Sequence, residues 1–271
     1  MSRELLHIFR NSPFGRETLL QSAYFCQQLG LSMAIYVPRE AQFVMYFEHA
    51  VVTIDLDRSY LRSPRTAEER AREVVAAAGL ETRFLKPSKG AGGLPELRSD
   101  FSYMCCPRSV SDRSSRIGLG YIGSRVRGIA KRARFPVLIP AASAKRWSQV
   151  VCFFGGSSNA AAALRCARAI GQGAGVPLTI FTQAEADKER YASQLRTLGF
   201  GEDMDEGRVL WRCFEQGTLE ENLFAVSSEA LVVAGALGRG VAKELLFGSK
   251  IELIQSELPN PMVIVGPQVR P

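Results

Sequence analysis

The sequence predicts an α/β protein made of two tandem doubly wound domains, each with a five-stranded, mostly parallel sheet. Along its 271 residues, short apolar runs rich in β-branched residues alternate with amphipathic segments, which is typical of doubly wound folds. The ends of the two halves also repeat. Gly123-Ser124 stands thirteen residues before Pro136, and Gly248-Ser249 stands thirteen before Pro261, so an offset of 125 residues relates the halves.

The first half, residues 1–140, contains five predicted strands and three predicted helices. The strands are "ELLHIFR", "LSMAIYVP", "ETRFLKP", "DFSYMCC" and "FPVLIP"; the helices are "GRETLLQSAYFCQQLG", "TAEERAREVVAAAG" and a long basic helix over 108–134. An apolar, aromatic insertion at 38–64 predicts an extra hairpin or a packed flap. The segment 141–147 is a linker too short to separate two domains, so we expect the halves to pack together.

The second half, residues 148–271, contains five predicted strands and four predicted helices. The strands are "SQVVCFF", "VPLTIFT", "RVLWRCFE", "ALVVAGA" and "NPMVIVGP"; the helices are "SSNAAAALRCARAIGQGAG", "EADKERYASQLRTLGFG", "TLEENLFAVSSE" and "AKELLFGSKIELIQSEL". Serine and asparagine cap the start of the first helix and glycine closes it, and a threonine caps the third.

Composition excludes several classes of protein. Apolar residues make up 46% and charged residues 23%, as in soluble globular proteins. The sequence has neither a bilayer-spanning apolar run nor the apolar core of a signal peptide, so we expect a cytoplasmic protein without membrane partners. Six cysteines without a C-x-x-C pair predict free, mostly buried thiols, and His7 and His49 lack neighbouring ligands, so we expect no metal site.

The positive charge behind the net charge of +7 is concentrated in the predicted basic helix, which contains eight basic residues and one aspartate. Two interpretations are open: a solvated helix face, or a surface for an anionic ligand or an acidic partner. Basic residues do not alternate with aromatic ones there, so we do not expect nucleic-acid binding.

Two pairs of small residues stand near the end of the chain. Gly235 and Gly238 follow the strand "ALVVA", at the carboxyl end where open α/β sheets bind ligands. Glycine there permits positive φ or close approach of a ligand, and the hydroxyl of Ser249 beside Gly248 is able to donate to a phosphate oxygen. The alternative is that these glycines make an ordinary turn and relieve crowding in a helix.

The stretch "GALGRGVAKELLFGSKIELIQSELPNPMVIVGP" resembles the signature of the universal stress protein family, G-x2-G-x9-G-[S/T] followed by a helix and a final strand. Residues 148–267 follow the family's order of strands and helices, and residues 3–140 look like a diverged second copy. The resemblance implies a Rossmann-like fold, dimerisation and, in many members, ATP binding. It implies a nucleotide site that includes Gly235, Gly238, Arg239, Gly248, Ser249 and Lys250, with ATP and Mg²⁺ as the expected ligands and AMP still open.

The loop after the first strand of the second half departs from the family's pattern. ATP-binding members usually carry an aspartate there, in a D-x-S turn, whereas this sequence has Gly155-Gly156-Ser157. The change removes an acceptor for the ribose or the adenine edge, while glycines permit closer approach of a ligand. We include these three residues in the candidate site.

The first half departs from the pattern further. The 125-residue offset places Val110 and Arg113 where the second half has Gly235 and Gly238, so we expect no nucleotide in the first half. Arg113 and Arg116 either neutralise phosphates in the facing half or form surface ion pairs.

No catalytic motif accompanies these residues. The sequence lacks a nucleophile elbow and a Walker sequence, and Asp203, Asp205 and Glu206 do not fit a calcium loop. We therefore expect at most weak ATP hydrolysis. Three hypotheses remain: a nucleotide-binding stress-response regulator, a nucleotide-independent interaction protein that uses the basic helix, and an adenylate-forming transferase with "FFGGSSNA" as a weak phosphate loop.

Overall fold

A computed structural model describes residues 3–47, 50–107, 122–236 and 249–269. The strands of the first half are β1 (Glu4–Ile8), β2 (Ser32–Tyr36), β3 (Gln42–Phe47), β4 (Ala50–Asp55), β5 (Thr82–Leu85), β6 (Glu96–Leu97), β7 (Tyr103–Cys105) and β8 (Val137–Ile139). Its helices are α1 (Pro13–Leu29), α2 (Pro64–Ala77) and α3 (Ser124–Arg132), with a 3-10 helix at Arg58–Leu61.

The strands of the second half are β9 (Gln149–Phe153), β10 (Leu178–Gln183), β11 (Val209–Phe214), β12 (Ala230–Gly235) and β13 (Met262–Val265). Its helices are α4 (Ser158–Ala174), α5 (Lys188–Thr197), α6 (Gly201–Asp205), α7 (Leu219–Asn222) and α8 (Ser249–Glu257), with a 3-10 helix at Leu223–Ala225.

Ten of the strands form one continuous sheet, in the order β11-β10-β9-β12-β13-β8-β7-β1-β2-β5. Within each half all neighbours are parallel, and each half has the order 3-2-1-4-5 when its strands are counted along its own part of the sheet. The predicted fold class is therefore confirmed, with the two five-stranded sheets joined edge to edge. The domain boundaries, 1–140 and 148–271, stay a prediction.

The joint between the halves is the antiparallel pairing of β8 with β13. Leu138 lies opposite Val263, and the flanking pairs are Val137 with Ile264 and Ile139 with Met262. The partners Leu138 and Val263 are 125 residues apart, and exchanging the halves by that offset maps each flanking pair onto the other. The repeat found in the sequence thus describes a local two-fold relation at the centre of the sheet.

Closer to the start of each half the offset is 145 residues instead. Helices α1 and α4 both have 17 residues; Ser12 and Ser157 cap their first turns, and Gly30 and Gly175 close them in the left-handed conformation. The offset falls from 145 to 125 residues between these helices and the ends of the halves, so the first half carries 20 additional residues.

The predicted extra hairpin lies between β2 and β5, where most of these additional residues are found. Strands β3 and β4 pair antiparallel, and β6, which the sequence did not predict, pairs parallel with β3. Phe43, Met45 and Ile54 of the hairpin are buried in one of the two core clusters. That cluster covers one face of the sheet, where the second half instead places its 3-10 helix, Leu223–Ala225, and α8.

Alternate residues of the central strands enter opposite cores, as expected for a sheet covered on both faces. In β12, Leu231 and Val233 pack in the cluster that contains α1, α2, α4 and α5, whereas Val232 and Ala234 pack in the cluster that contains the hairpin, α3 and α8. Helices therefore leave β9 and approach β13 on different sides of the sheet.

The linker packs against α1 rather than hanging free. Gln21 exchanges two hydrogen bonds with the backbone of Lys145, at 2.8 and 2.9 Å, and the hydroxyl of Tyr24 donates to the carbonyl of Trp147 at 3.0 Å.

Of the predicted basic helix, α3 is observed, and residues 108–121 lie outside the described part. Within that part, no helix is both long and apolar enough to cross a membrane.

Candidate functional site

The sheet order places a topological switch point at the carboxyl ends of β9 and β12. These neighbouring parallel strands pair Phe153 with Ala234, and their following helices lie on opposite faces of the sheet. Such a switch point is where doubly wound sheets bind their ligands. The loop Gly155–Ser157 follows β9 and Gly235 ends β12, so they stand on the two sides of this switch point, which we name the second-half crevice.

The loop on the β9 side has three small residues with different roles. The Ser157 hydroxyl accepts a hydrogen bond from the amide of Ala160 at 3.1 Å and so caps α4. Gly156 has a φ of 73°, and a Cβ there would lie 2.5 Å from Oε1 of Gln194. Gly155 is exposed, and a Cβ there would meet no described atom within 4 Å. Gly155 is therefore the position of the loop that leaves room for a ligand.

Gly235 has a packing reason to be glycine. It does not use the left-handed region, but a Cβ at this position would lie 2.9 Å from the carbonyl oxygen of Asn159. The side-chain amide of Asn159 donates to the carbonyl of Val265 at 3.0 Å, which ties the first turn of α4 to the end of β13. The close approach of helix to strand at Gly235 agrees with the structural alternative raised by the sequence.

The remaining residues of the predicted site are only partly placed. Ser249 and Lys250 lie in α8, whereas Gly238, Arg239 and Gly248 lie outside the described residues. The gathering of these five residues around one ligand stays a prediction.

An aromatic row beside the crevice was missed by the sequence analysis. Phe153, Phe181 and Phe214 stand near the carboxyl ends of the adjacent strands β9, β10 and β11, with ring centroids 4.7 Å apart in each pair. Phe181 is buried and the other two are half-buried. The sequence does show a phenylalanine near the end of each of these strands. That the three rings form a row becomes evident only once the strand order is known. The rings are tilted against each other, by 44° and 31°, and the row lies at the same edge of the sheet as Gly155.

The corresponding position in the first half is filled by protein. Ser12 caps α1 by accepting a hydrogen bond from the amide of Gly15 at 3.0 Å, so the cap is shared by the two halves. The residue that corresponds to Gly155 by the 145-residue offset, however, is Arg10. A nitrogen of the Arg10 guanidinium lies 3.9 Å from Asp57, and its central carbon lies 5.4 Å from the ring centroid of Tyr60. Tyr60 is 1% exposed. The insertion thus supplies an aromatic ring and a carboxylate at the carboxyl end of β1.

This obstruction is not the one that the sequence predicted. Val110, Arg113 and Arg116 lie outside the described residues, so the predicted obstruction and ion pairs stay predictions. Gly123 precedes α3, and Ser124 is the first residue of that helix.

Burial holds His7 and several of the thiols in their neutral forms. Burial lowers the pKa of His7 to about 3 and raises the pKa of Cys166 to about 12. Burial likewise raises the thiol pKa of Cys106 and Cys152 well above the ordinary value. A neutral thiol is a poor nucleophile, and an imidazole enclosed in the core has no access to a substrate.

The acidic turn seen in the sequence forms α6 and is held by arginines. Asp203 accepts from Arg168 and from Arg208, each at 2.9 Å. Among the described residues, no group of three or more His, Cys, Asp or Glu side chains is placed to hold a metal ion.

Comparison with known proteins places this architecture. Neither the protein-family models nor the curated proteins give a match to the sequence. Among solved structures, a universal stress protein from Archaeoglobus fulgidus superposes with a TM-score of 0.65 at 17% identity, over 98% of this chain and 99% of that chain. The chain has the universal stress protein fold.

Two structures from Pseudomonas aeruginosa agree over the same length. One is a putative universal stress protein, with a TM-score of 0.59, 11% identity and coverage of 98% of this chain and 94% of that chain. The other is a functionally unknown protein, with a TM-score of 0.59, 12% identity and coverage of 98% and 93%. The universal stress protein fold therefore accounts for both halves of the chain, including the sheet that joins them.

Proposed function

We propose that this protein is a stress-response regulatory protein of the cytoplasm that binds an adenine nucleotide, ATP with Mg²⁺, in the second-half crevice. The observation that carries the proposal is the position of Gly155 and Gly235 on the two sides of the switch point. Gly235 is also the first residue of the G-x2-G-x9-G-S motif. The first residue of the predicted motif and the switch point are thus at the same edge of the sheet.

The proposed binding mode divides the ligand between the two sides. The backbone amides of the motif, with the hydroxyl of Ser249, hold the phosphates, because amides and hydroxyls in a glycine-rich turn converge on anions. The nucleoside lies toward Gly155 and the aromatic row. Since the loop has no carboxylate to accept from the ribose, we expect weaker selection of the sugar and base than of the phosphates.

We infer a binding role rather than a catalytic one, because the sequence lacks a catalytic motif. Nucleotide occupancy then acts by shifting how the two halves, or two copies of the chain in a homodimer, pack together. Sedimentation velocity with and without ATP tests this step, and unchanged sedimentation at saturating ATP would remove the regulatory part of the proposal.

Isothermal titration of the full chain with Mg-ATP and with AMP tests the binding itself. Gly155→Val places a branched side chain at the exposed edge of the crevice, and Gly238→Val places one in the motif. Each is expected to weaken ATP binding at least about tenfold, because both remove close backbone approach. Gly92→Val is the matched control, since a Cβ at Gly92 also meets no described atom within 4 Å.

Two results would contradict this function. One is the lack of saturable binding at millimolar nucleotide, and the other is an equal loss of affinity in Gly92→Val and Gly155→Val. The second candidate, a nucleotide-independent interaction protein, would then be favoured. Its supporting observation is that Lys131 and Arg132 are exposed at the end of α3, where they are available to an acidic partner.

A further inference from the structure

A cavity of about 270 Å³ lies at the carboxyl ends of β2 and β5, at the outer edge of the first half. Its apolar lining comes from the strand ends and from the loop that leads to β6: Tyr36, Val37, Phe84, Leu85, Pro87 and Pro95. The cavity is separate from the second-half crevice, because β2 and β5 are at the opposite end of the ten-stranded sheet from β9 and β10. It is also smaller than the pockets of roughly 300–1,000 Å³ that hold drug-sized ligands.

The charged residues around the cavity leave an excess of positive charge. The carboxylate of Glu40 pairs with Lys89 at 2.6 Å, and the carboxylate of Glu68 pairs with Arg72 at 2.7 Å. Arg39 and Lys86 also line the cavity. Within the described part of the chain neither of these two cations has an ion-pair partner within 4 Å, so two positive charges remain uncompensated at an apolar opening.

The two cations are close enough to act on the same region. A hydrogen bond from Arg72 lowers the pKa of Glu68, and the charges of Arg72, Lys86 and Arg39 lower it further. An anion that entered the cavity would therefore meet both positive charges, while the carboxylates of Glu40 and Glu68 are paired with Lys89 and Arg72. Arg39 offers planar, bidentate donors to such an anion, and Lys86 offers a compact charge.

We propose that this cavity binds a small aromatic anion, whose ring lies against Phe84, Val37 and Pro87 and whose phosphate or carboxylate group pairs with Arg39 and Lys86. The apolar walls select for the ring, and the two cations select for the charge. The size of the cavity limits the ligand to a single ring system. The proposal is independent of nucleotide binding in the second half.

Titration calorimetry with phenyl phosphate as the probe tests this site on the full chain. We expect saturable binding of one molecule per chain, with inorganic phosphate and phenol each binding at least about tenfold more weakly, because one lacks the ring and the other lacks the charge. The double variant Arg39→Gln/Lys86→Gln is expected to lose at least about tenfold in affinity, since hydrogen bonds to charged groups are the stronger ones.

A matched double variant distinguishes the effect of the two cations at the cavity from the effect of lowering the net charge of the whole protein. Arg65→Gln/Arg98→Gln removes two exposed cations that do not line the cavity, and it is expected to bind phenyl phosphate like the parent. Thermal melting of both variants checks that they fold. The proposal is overturned if the parent shows no saturable binding, if the two double variants lose affinity equally, or if inorganic phosphate binds as well as phenyl phosphate.

Discussion

The loops that follow the first strand of each half begin alike and then diverge. Phe9 and Phe154 both donate their backbone amides to the neighbouring strand, at 2.9 Å, and three residues later a serine caps the next helix. Between these shared positions the first half has Arg10 and the second has Gly155. Arg10 is held beside Asp57, whereas a Cβ on Gly155 would meet none of the described atoms within 4 Å.

The difference between Arg10 and Gly155 teaches that strand order creates a switch point but does not decide whether a ligand is able to enter it. Both halves have the 3-2-1-4-5 order and hence a switch point. In the first half, the 20 additional residues bring Tyr60 against Arg10, and a buried ring and an ion pair stand where a ligand would enter. A local insertion has turned one of two similar sites into core.

The largest expected effect concerns the tighter packing of the first-half loop. Gly15 corresponds to Ala160 by the 145-residue offset, but a Cβ on Gly15 would lie 1.8 Å from the carbonyl oxygen of Arg10. The substitution Gly15→Ala is expected to lower the free energy of unfolding by about 3 kcal/mol, because a backbone carbonyl cannot move aside as a flexible side chain does. Urea denaturation measures the change.

The second half supplies the control for this substitution. Gly155→Ala adds a methyl group that meets no described atom within 4 Å, so its unfolding free energy is expected to stay within about 0.5 kcal/mol of the parent. Equal destabilisation by the two substitutions would show that the loops do not differ in packing.

Local signals explain what the sequence predicted well. The caps at Ser157, Gly175 and Thr218 were predictable because a side chain or a left-handed glycine satisfies backbone groups within a few residues. The strands were predictable from apolar runs, and the hairpin from its aromatic content. The predicted third helix of the second half proved to be the short α7 followed by a 3-10 helix, since tertiary packing rather than propensity sets where a helix ends.

Contacts between distant parts of the chain explain what the sequence missed. Arg10 and Tyr60 are fifty residues apart, and nothing in either local sequence indicates that they meet. The aromatic row needs the order of three strands, and β6 is only two residues long. The offset of 125 residues did appear in the sequence, but its expression as the pairing of Leu138 with Val263 required the assembled sheet.

The next largest effect is the loss of unfolding free energy at acidic pH. His7 in β1 corresponds to Cys152 in β9 by the 145-residue offset, and it is 1% exposed. Its Nδ1 lies 2.9 Å from the hydroxyl of Ser22, while its Nε2 has no hydrogen-bond partner among the described residues. Burial lowers the pKa of His7 from 6.5 to about 3, so the folded state binds fewer protons than the unfolded state between these two values.

Stability is therefore expected to fall as pH drops below about 6.5, with a loss of about 2 kcal/mol by pH 5 from this residue. His7→Cys introduces the second half's residue, whose thiol stays neutral over the same range, and should remove most of this dependence. Urea denaturation at pH 7 and pH 5 makes the comparison. The same loss of stability in both proteins would assign the acid sensitivity to other groups.

The smallest effect concerns the residue that closes the first-half site. Arg10→Ala removes the cation beside Asp57 and Tyr60, and we expect a loss of about 1 kcal/mol in unfolding free energy, because the carboxylate stays half-enclosed without that charge. Arg58→Ala is the control, because Arg58 is an exposed cation on the 3-10 helix that contains Tyr60; this substitution should change the unfolding free energy little. Nucleotide titration of Arg10→Ala should still give one ATP per chain, since the buried ring of Tyr60 continues to occupy the site. A second bound ATP would instead show that Arg10 alone keeps the first-half crevice shut.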